Sequence, residues 1–61
     1  MNSNIEYRTI RDMRFELRMS GVDNIQNFND TQVVELFNST FATNKKYIGI
    51  DVNGVNIDYC S

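Results

Sequence analysis

The sequence predicts an α+β fold in which two short helices, a helix-loop-helix, pack on a C-terminal antiparallel β-hairpin. Three observations predict it. Asn53-Gly54 stands between two alternating apolar runs, and an Asn-Gly pair in that setting is a strong hairpin signal, since a tight two-residue turn needs φ > 0 twice. Ile10, Met13 and Leu17 recur at helical spacing and are closed by Gly21, a residue suited to the left-handed position after a helix. Val33, Val34, Phe37 and Phe41 make a second apolar helical face.

The first helix is expected over residues 3–20. Ser3-x-x-Glu6 has the pattern of a capping box, which satisfies two backbone N–H groups left over at a helix start. Tyr7 extends the Ile10/Met13/Leu17 face. A competing reading is a strand, because Met13-Arg14-Phe15-Glu16-Leu17-Arg18-Met19 alternates without error, and Phe15 and Met19 fall away from the helical stripe. That alternative gives a β-α-β-β order with a three-stranded sheet. Residues 21–29 form an asparagine-rich loop with Val22, Ile25 and Phe28 turned inwards. The second helix opens with Asn29 as N-cap, Gln32 three residues on, Asp30 in the first turn where the helix dipole favours it, and Phe28 placed to pack on Val33. A two-residue hairpin loop sets Val52 opposite Val55, Ile50 opposite Ile57 and Ile48 opposite Tyr59, all on one face. The other face carries Asp51 with Asn56, Gly49 with Asp58 and Tyr47 with Cys60. The Val33/Phe37/Phe41 face is the lid for the apolar hairpin, since an isolated hairpin is marginal.

The 61 residues make a single small domain. A domain of this size buries only about 60% of its unfolded surface, so it depends on a well-filled core, self-association or a partner. A single cysteine, Cys60, forms no internal disulfide, and a chain with no histidine has no His-based triad and no Cys/His zinc set. Neither a membrane-length apolar run nor a signal-peptide pattern is present, and with one cysteine the expected location is cytoplasmic. A net charge of −2 exerts no overall pull towards nucleic acid. The abundance of asparagine and the absence of proline, histidine and tryptophan match the composition of AT-rich genes, as in many phages.

Arg8, Arg11, Arg14 and Arg18 follow spacings of three, three and four, which on a helix span an arc of about 120°. Such a stripe reads phosphates or an acidic partner surface, or is a solvated face in which Arg8 pairs with Asp12. Asp51 and Asp58 share a hairpin face as near-diagonal neighbours; two carboxylates can hold a hard cation or exchange protons, and equally keep a surface polar. Without a histidine, His-based activation of Cys60 or of a hydroxyl nucleophile is unavailable. The strand Val55–Cys60 offers a sheet edge to which another chain can add, with Tyr47 and Tyr59 suited to an interface.

The run Glu16-Leu17-Arg18-Met19-Ser20-Gly21-Val22, followed by Ile25, Phe28, Asn29-Asp30 and Val33-Val34-Glu35-Leu36, is similar in outline to SAP-type and LEM-type modules. These are small helical binders of DNA or chromatin proteins. The likeness covers the first two thirds of the chain and rests on a Gly-capped first helix and an Asp-opened second, which many helical pairs share. Residues 23–42 lack the lysines and arginines of a DNA-binding version.

The expected function is therefore non-enzymatic: a small protein-binding module that inhibits or modulates a larger protein, of the phage type directed at a host or defence protein. Its expected contact residues are Arg8, Arg11, Arg14, Arg18, Tyr47, Asp51 and Asp58, with no cofactor and no metal. The alternatives are nucleic-acid binding through the arginine stripe of the first helix, and a structural subunit completed by self-association.

Overall fold

In the computed structural model, which describes residues 4–58, the first helix begins later than expected. Asn4–Thr9 form a strand, β1, and helix α1 runs Ile10–Met19. A 3₁₀ turn at Ile25–Asn27 leads to helix α2, Asp30–Phe41, and then to strands β2, Lys45–Ile50, and β3, Asn56–Ile57. The order is β-α-α-β-β, an α+β fold of two helices and a mixed three-stranded sheet. Central β2 lies parallel to β1 and antiparallel to β3. The β-first order of the alternative reading holds, but its strand is Asn4–Thr9; residues 13–19 are helical.

Local chemistry explains most boundaries. Thr9 caps α1, its Oγ1 accepting from the Asp12 amide at 3.1 Å, so the Ser3-x-x-Glu6 start is superseded and Glu6 lies in a strand. At the other end, Gly21 has φ 115°, and its amide donates to the Arg18 carbonyl while that of Val22 donates to Leu17, a Schellman closure. Asn29 and Gln32 form the expected capping box of α2, at 2.8 and 3.0 Å.

The hairpin is shifted by one residue from the expected register. Ile50 lies opposite Asn56 and Gly49 opposite Ile57. The loop has three residues, Val52-Asn53-Gly54, closed by the Asp51 amide on the Val55 carbonyl at 3.0 Å and the Gly54 amide on the Asp51 carbonyl at 2.9 Å. Gly54 takes φ 81°, and among the described residues only Gly21 and Gly54 have positive φ, so Asn53 is not in the left-handed region that the two-residue turn requires. The Asp51 carboxylate stabilises the longer loop by accepting from the amides of Asn53 and Val55 at 2.8 and 2.9 Å. The shift turns Ile57 to the helix side, where it packs on the core. The Ile48–Tyr59 and Tyr47–Cys60 pairs lie outside the described residues.

The core lies between the helices and one face of the sheet. Met13, Leu17, Val33 and Val34 are fully buried, with Ile10, Ile25, Phe37 and Tyr47 around them. Burial of such side chains contributes about 1.5–3 kcal/mol each. Contrary to the expected facing, β2 sends Tyr47 and Gly49 to the helices. The Tyr47 ring meets Phe37 edge-on at 4.9 Å, and Gly49 lies beneath Ile10 and Val34 so closely that a Cβ there would come 2.7 Å from Val34 Cγ2. Of the predicted lid over the hairpin, Phe37 covers Tyr47, joined by Val34 over Gly49, while Phe41 stays 36% exposed.

Candidate interaction surface

The four arginines do not form one stripe, because β1 removes Arg8 from the helix. Arg8 projects to the helix side of the sheet, 5.5 Å from the centre of the Tyr47 ring and 3.9 Å from Glu6, so the Arg8–Asp12 helical pair is replaced. Arg14 is a structural clamp. Its Nη1 donates to the Ile25 carbonyl at 2.9 Å and its Nη2 to Asp30 at 3.0 Å, tying α1 to the 3₁₀ turn and to the first turn of α2. Arg11 and Arg18 remain exposed on α1, and among the described residues neither makes an ion pair.

The other candidate residues are drawn into the fold. Tyr47 is buried in the core. Asp51 organises its own loop, and Asp58 pairs with Lys46 at 3.0 Å. The one-residue shift also takes Asp51 and Asp58 out of phase along the hairpin, so the expected carboxylate pair does not assemble. Glu6 takes a lysine as well: Lys45 Nζ donates to it at 3.2 Å, which, with the carboxylate's charge, raises the Lys45 pKa above its ordinary value.

What stands out from this folded frame is apolar. Phe15 is 61% exposed and Met19 70% exposed, one turn apart on the side of α1 opposite to Ile10, Met13 and Leu17. Arg11, Phe15 and Met19 follow one i, i+4 ridge, with Arg18 beside it and Asp12 and Glu16 along its other flank. A second apolar area lies on the sheet face away from the helices, where the register sets Tyr7 beside Ile48 and Ile5 one pair along; Ile5 and Tyr7 are about half exposed and Ile48 is buried. An open cleft at the carboxyl ends of β1 and β2 is bordered by Arg11 and Phe15 but also by Asp12, Asp30 and Asp51, whose carboxylates oppose an anion there. Phe15 and Met19 were legible as residues off the main helical stripe; Ile5 and Tyr7 were hidden by the helical reading of residues 3–9.

No family model matches the chain, and neither curated proteins nor solved structures show a significant match to it. The outline shared with SAP-type and LEM-type modules therefore has no family match behind it. Among the described residues, no helix is long and apolar enough to cross a membrane.

Proposed function

We propose that the protein is a non-enzymatic protein-binding module that inhibits or modulates a larger protein, and that the outer face of α1 is its contact surface. The observation that carries this reading is the exposure of Phe15 and Met19 on a helix whose other face is fully committed to the core. Large apolar side chains with Arg11 and Arg18 on one side and Asp12 and Glu16 on the other suit a helix seated in an apolar groove whose rim carries charges of both signs, with anchors at Arg11, Phe15 and Met19. The small size and asparagine-rich composition support a phage-type protein acting on a host or defence protein.

Arg14 is engaged inside the fold and Arg8 lies on β1 beside Glu6, so a nucleic-acid reading on α1 would rest on Arg11 and Arg18 alone, with Asp12 and Glu16 close by. A tagged capture from the native host, treated with nuclease and washed at low and high salt, separates the two. One stoichiometric protein retained through both treatments is the expected result. Nucleic acid recovered only at low salt would overturn it, because phosphate contacts weaken steeply with salt.

A further inference from the structure

We propose that the outer edge of β1 pairs antiparallel with β1 of a second copy of this chain, joining two three-stranded sheets into one about a two-fold axis at Tyr7. This surface is separate from the outer face of α1, so the two readings stand or fall independently.

The sheet order leaves β1 at an edge, and among the described residues nothing pairs with its outer side. The opposite edge, β3, is only two residues long, whereas β1 has six. Natural sheets blunt long edges with proline, bulges or charged side chains, lysine above all. Asn4-Ile5-Glu6-Tyr7-Arg8-Thr9 has no proline or lysine; its two charges, Glu6 and Arg8, are opposite in sign and can pair across such an edge, and Ile5 and Tyr7 are exposed along the other face.

Charge selects the occupant and its register. A strand offers the backbone groups of alternate residues to its outer edge, so residues opposite one another in a self-paired antiparallel ladder are both odd-numbered or both even-numbered. Centring the ladder on Glu6 or on Arg8 sets that charge against itself, which is destabilising. Centring it on Tyr7 sets Glu6 opposite Arg8 of the second copy, and symmetry repeats the pair. Both side chains lie on the helix side of the sheet and are more than 40% exposed, within reach of a neighbouring strand. On the other face the same register puts Tyr7 beside Tyr7 of the second copy and Ile5 beside Thr9, extending the apolar strip that Ile48 begins.

The test is molecular mass in solution, by sedimentation or light scattering, from micromolar to millimolar concentration. Wild type is expected to pass from monomer to dimer. Glu6→Arg sets two arginines opposite each other at each charged position and Arg8→Glu sets two glutamates, so each variant alone is expected to stay monomeric. An equimolar mixture of the two restores both pairs and is expected to form a heterodimer. Since Glu6→Arg also loses its Lys45 contact, Tyr7→Lys provides a second route: the side chain is half exposed, and lysine opposite lysine at the axis is expected to abolish the dimer while the circular dichroism stays that of wild type. Wild type that is monomeric at millimolar concentration would overturn the proposal. So would a dimer that Tyr7→Lys leaves intact, or charge variants that remain monomeric when mixed while each is folded.

Discussion

The side chain of Asn38 brackets the backbone of Tyr47: Oδ1 accepts from the Tyr47 amide at 2.7 Å, and Nδ2 donates to the Tyr47 carbonyl at 3.0 Å. The same Nδ2 donates to the Val34 carbonyl at 2.8 Å. Asn38 is 6% exposed, so a polar side chain in the core joins α2 to the central strand. It acts towards Tyr47 as a neighbouring strand would, supplying one acceptor and one donor.

Removing this bracket leaves buried backbone groups of Tyr47 without partners. Asn38→Ala is expected to destabilise the fold by about 2–4 kcal/mol. Ser39→Ala, on the exposed side of the same helix, is expected to change stability by less than about 0.5 kcal/mol. Urea denaturation of the two variants checks the contrast; equal effects would show that the bracket contributes nothing specific.

Gly49 is set by close approach. A methyl group there meets Ile10 Cδ1 and Val34 Cγ2, so Gly49→Ala is expected to cost about 1–3 kcal/mol by overpacking. Ile10→Val removes the Cδ1 atom that stands nearest. A double-mutant cycle should therefore show Ile10→Val costing less in the Gly49→Ala background than in wild type. Strict additivity would contradict the packing account.

The arginines should separate by role. Arg14 holds two partners on other elements, the carbonyl of buried Ile25 and the partly exposed Asp30, so Arg14→Ala is expected to lower stability by about 1 kcal/mol. Arg11→Ala and Arg18→Ala are expected to leave stability within about 0.5 kcal/mol of wild type. Thermal melts of the three variants test the division; a stability loss at Arg11 as large as at Arg14 would show that the exposed arginines are structural too.

Lys45 predicts a pH dependence with a definite sign. Hydrogen bonding to Glu6, then the charge of that carboxylate, raise its pKa above 10.5. A group whose pKa is raised on folding stabilises the fold fully below its unfolded pKa and loses that contribution as pH rises through the folded one. The stability difference between wild type and Lys45→Met should therefore be constant from neutral pH to the ordinary lysine range and shrink above it. Denaturation midpoints measured across that range check this, and a difference that grows with pH would contradict it.

Much of the helical half was legible because its signals are local. Ile10, Met13 and Leu17 at helical spacing, Gly21 after the helix, and the Asn29/Gln32 box all act within a few residues of one another. β1 was not legible, because Asn4–Thr9 becomes a strand by pairing with Lys45–Ile50, far along the chain, while Ser3-x-x-Glu6 and Tyr7 offered a local helical alternative. The hairpin was legible in kind but not in register. Asn-Gly favours a two-residue turn, but the Asp51 carboxylate and the packing of Tyr47, Gly49 and Ile57 under the helices favour the three-residue loop. That one-residue difference exchanged the two faces of β2, buried Tyr47 and separated Asp51 from Asp58. The arginine stripe dissolved for a related reason: its first member belongs to a strand, and Arg14 found partners on other elements that spacing along one helix does not reveal.

In the proposed function, Phe15 and Met19 bind another protein. The most direct measurement is capture from the native host with wild type and with the double variant Phe15→Ser/Met19→Ser, both verified as folded by circular dichroism. Wild type is expected to retain one stoichiometric protein at high salt and the double variant to lose it. Equal retention by both proteins would contradict this reading and move the contact surface away from α1.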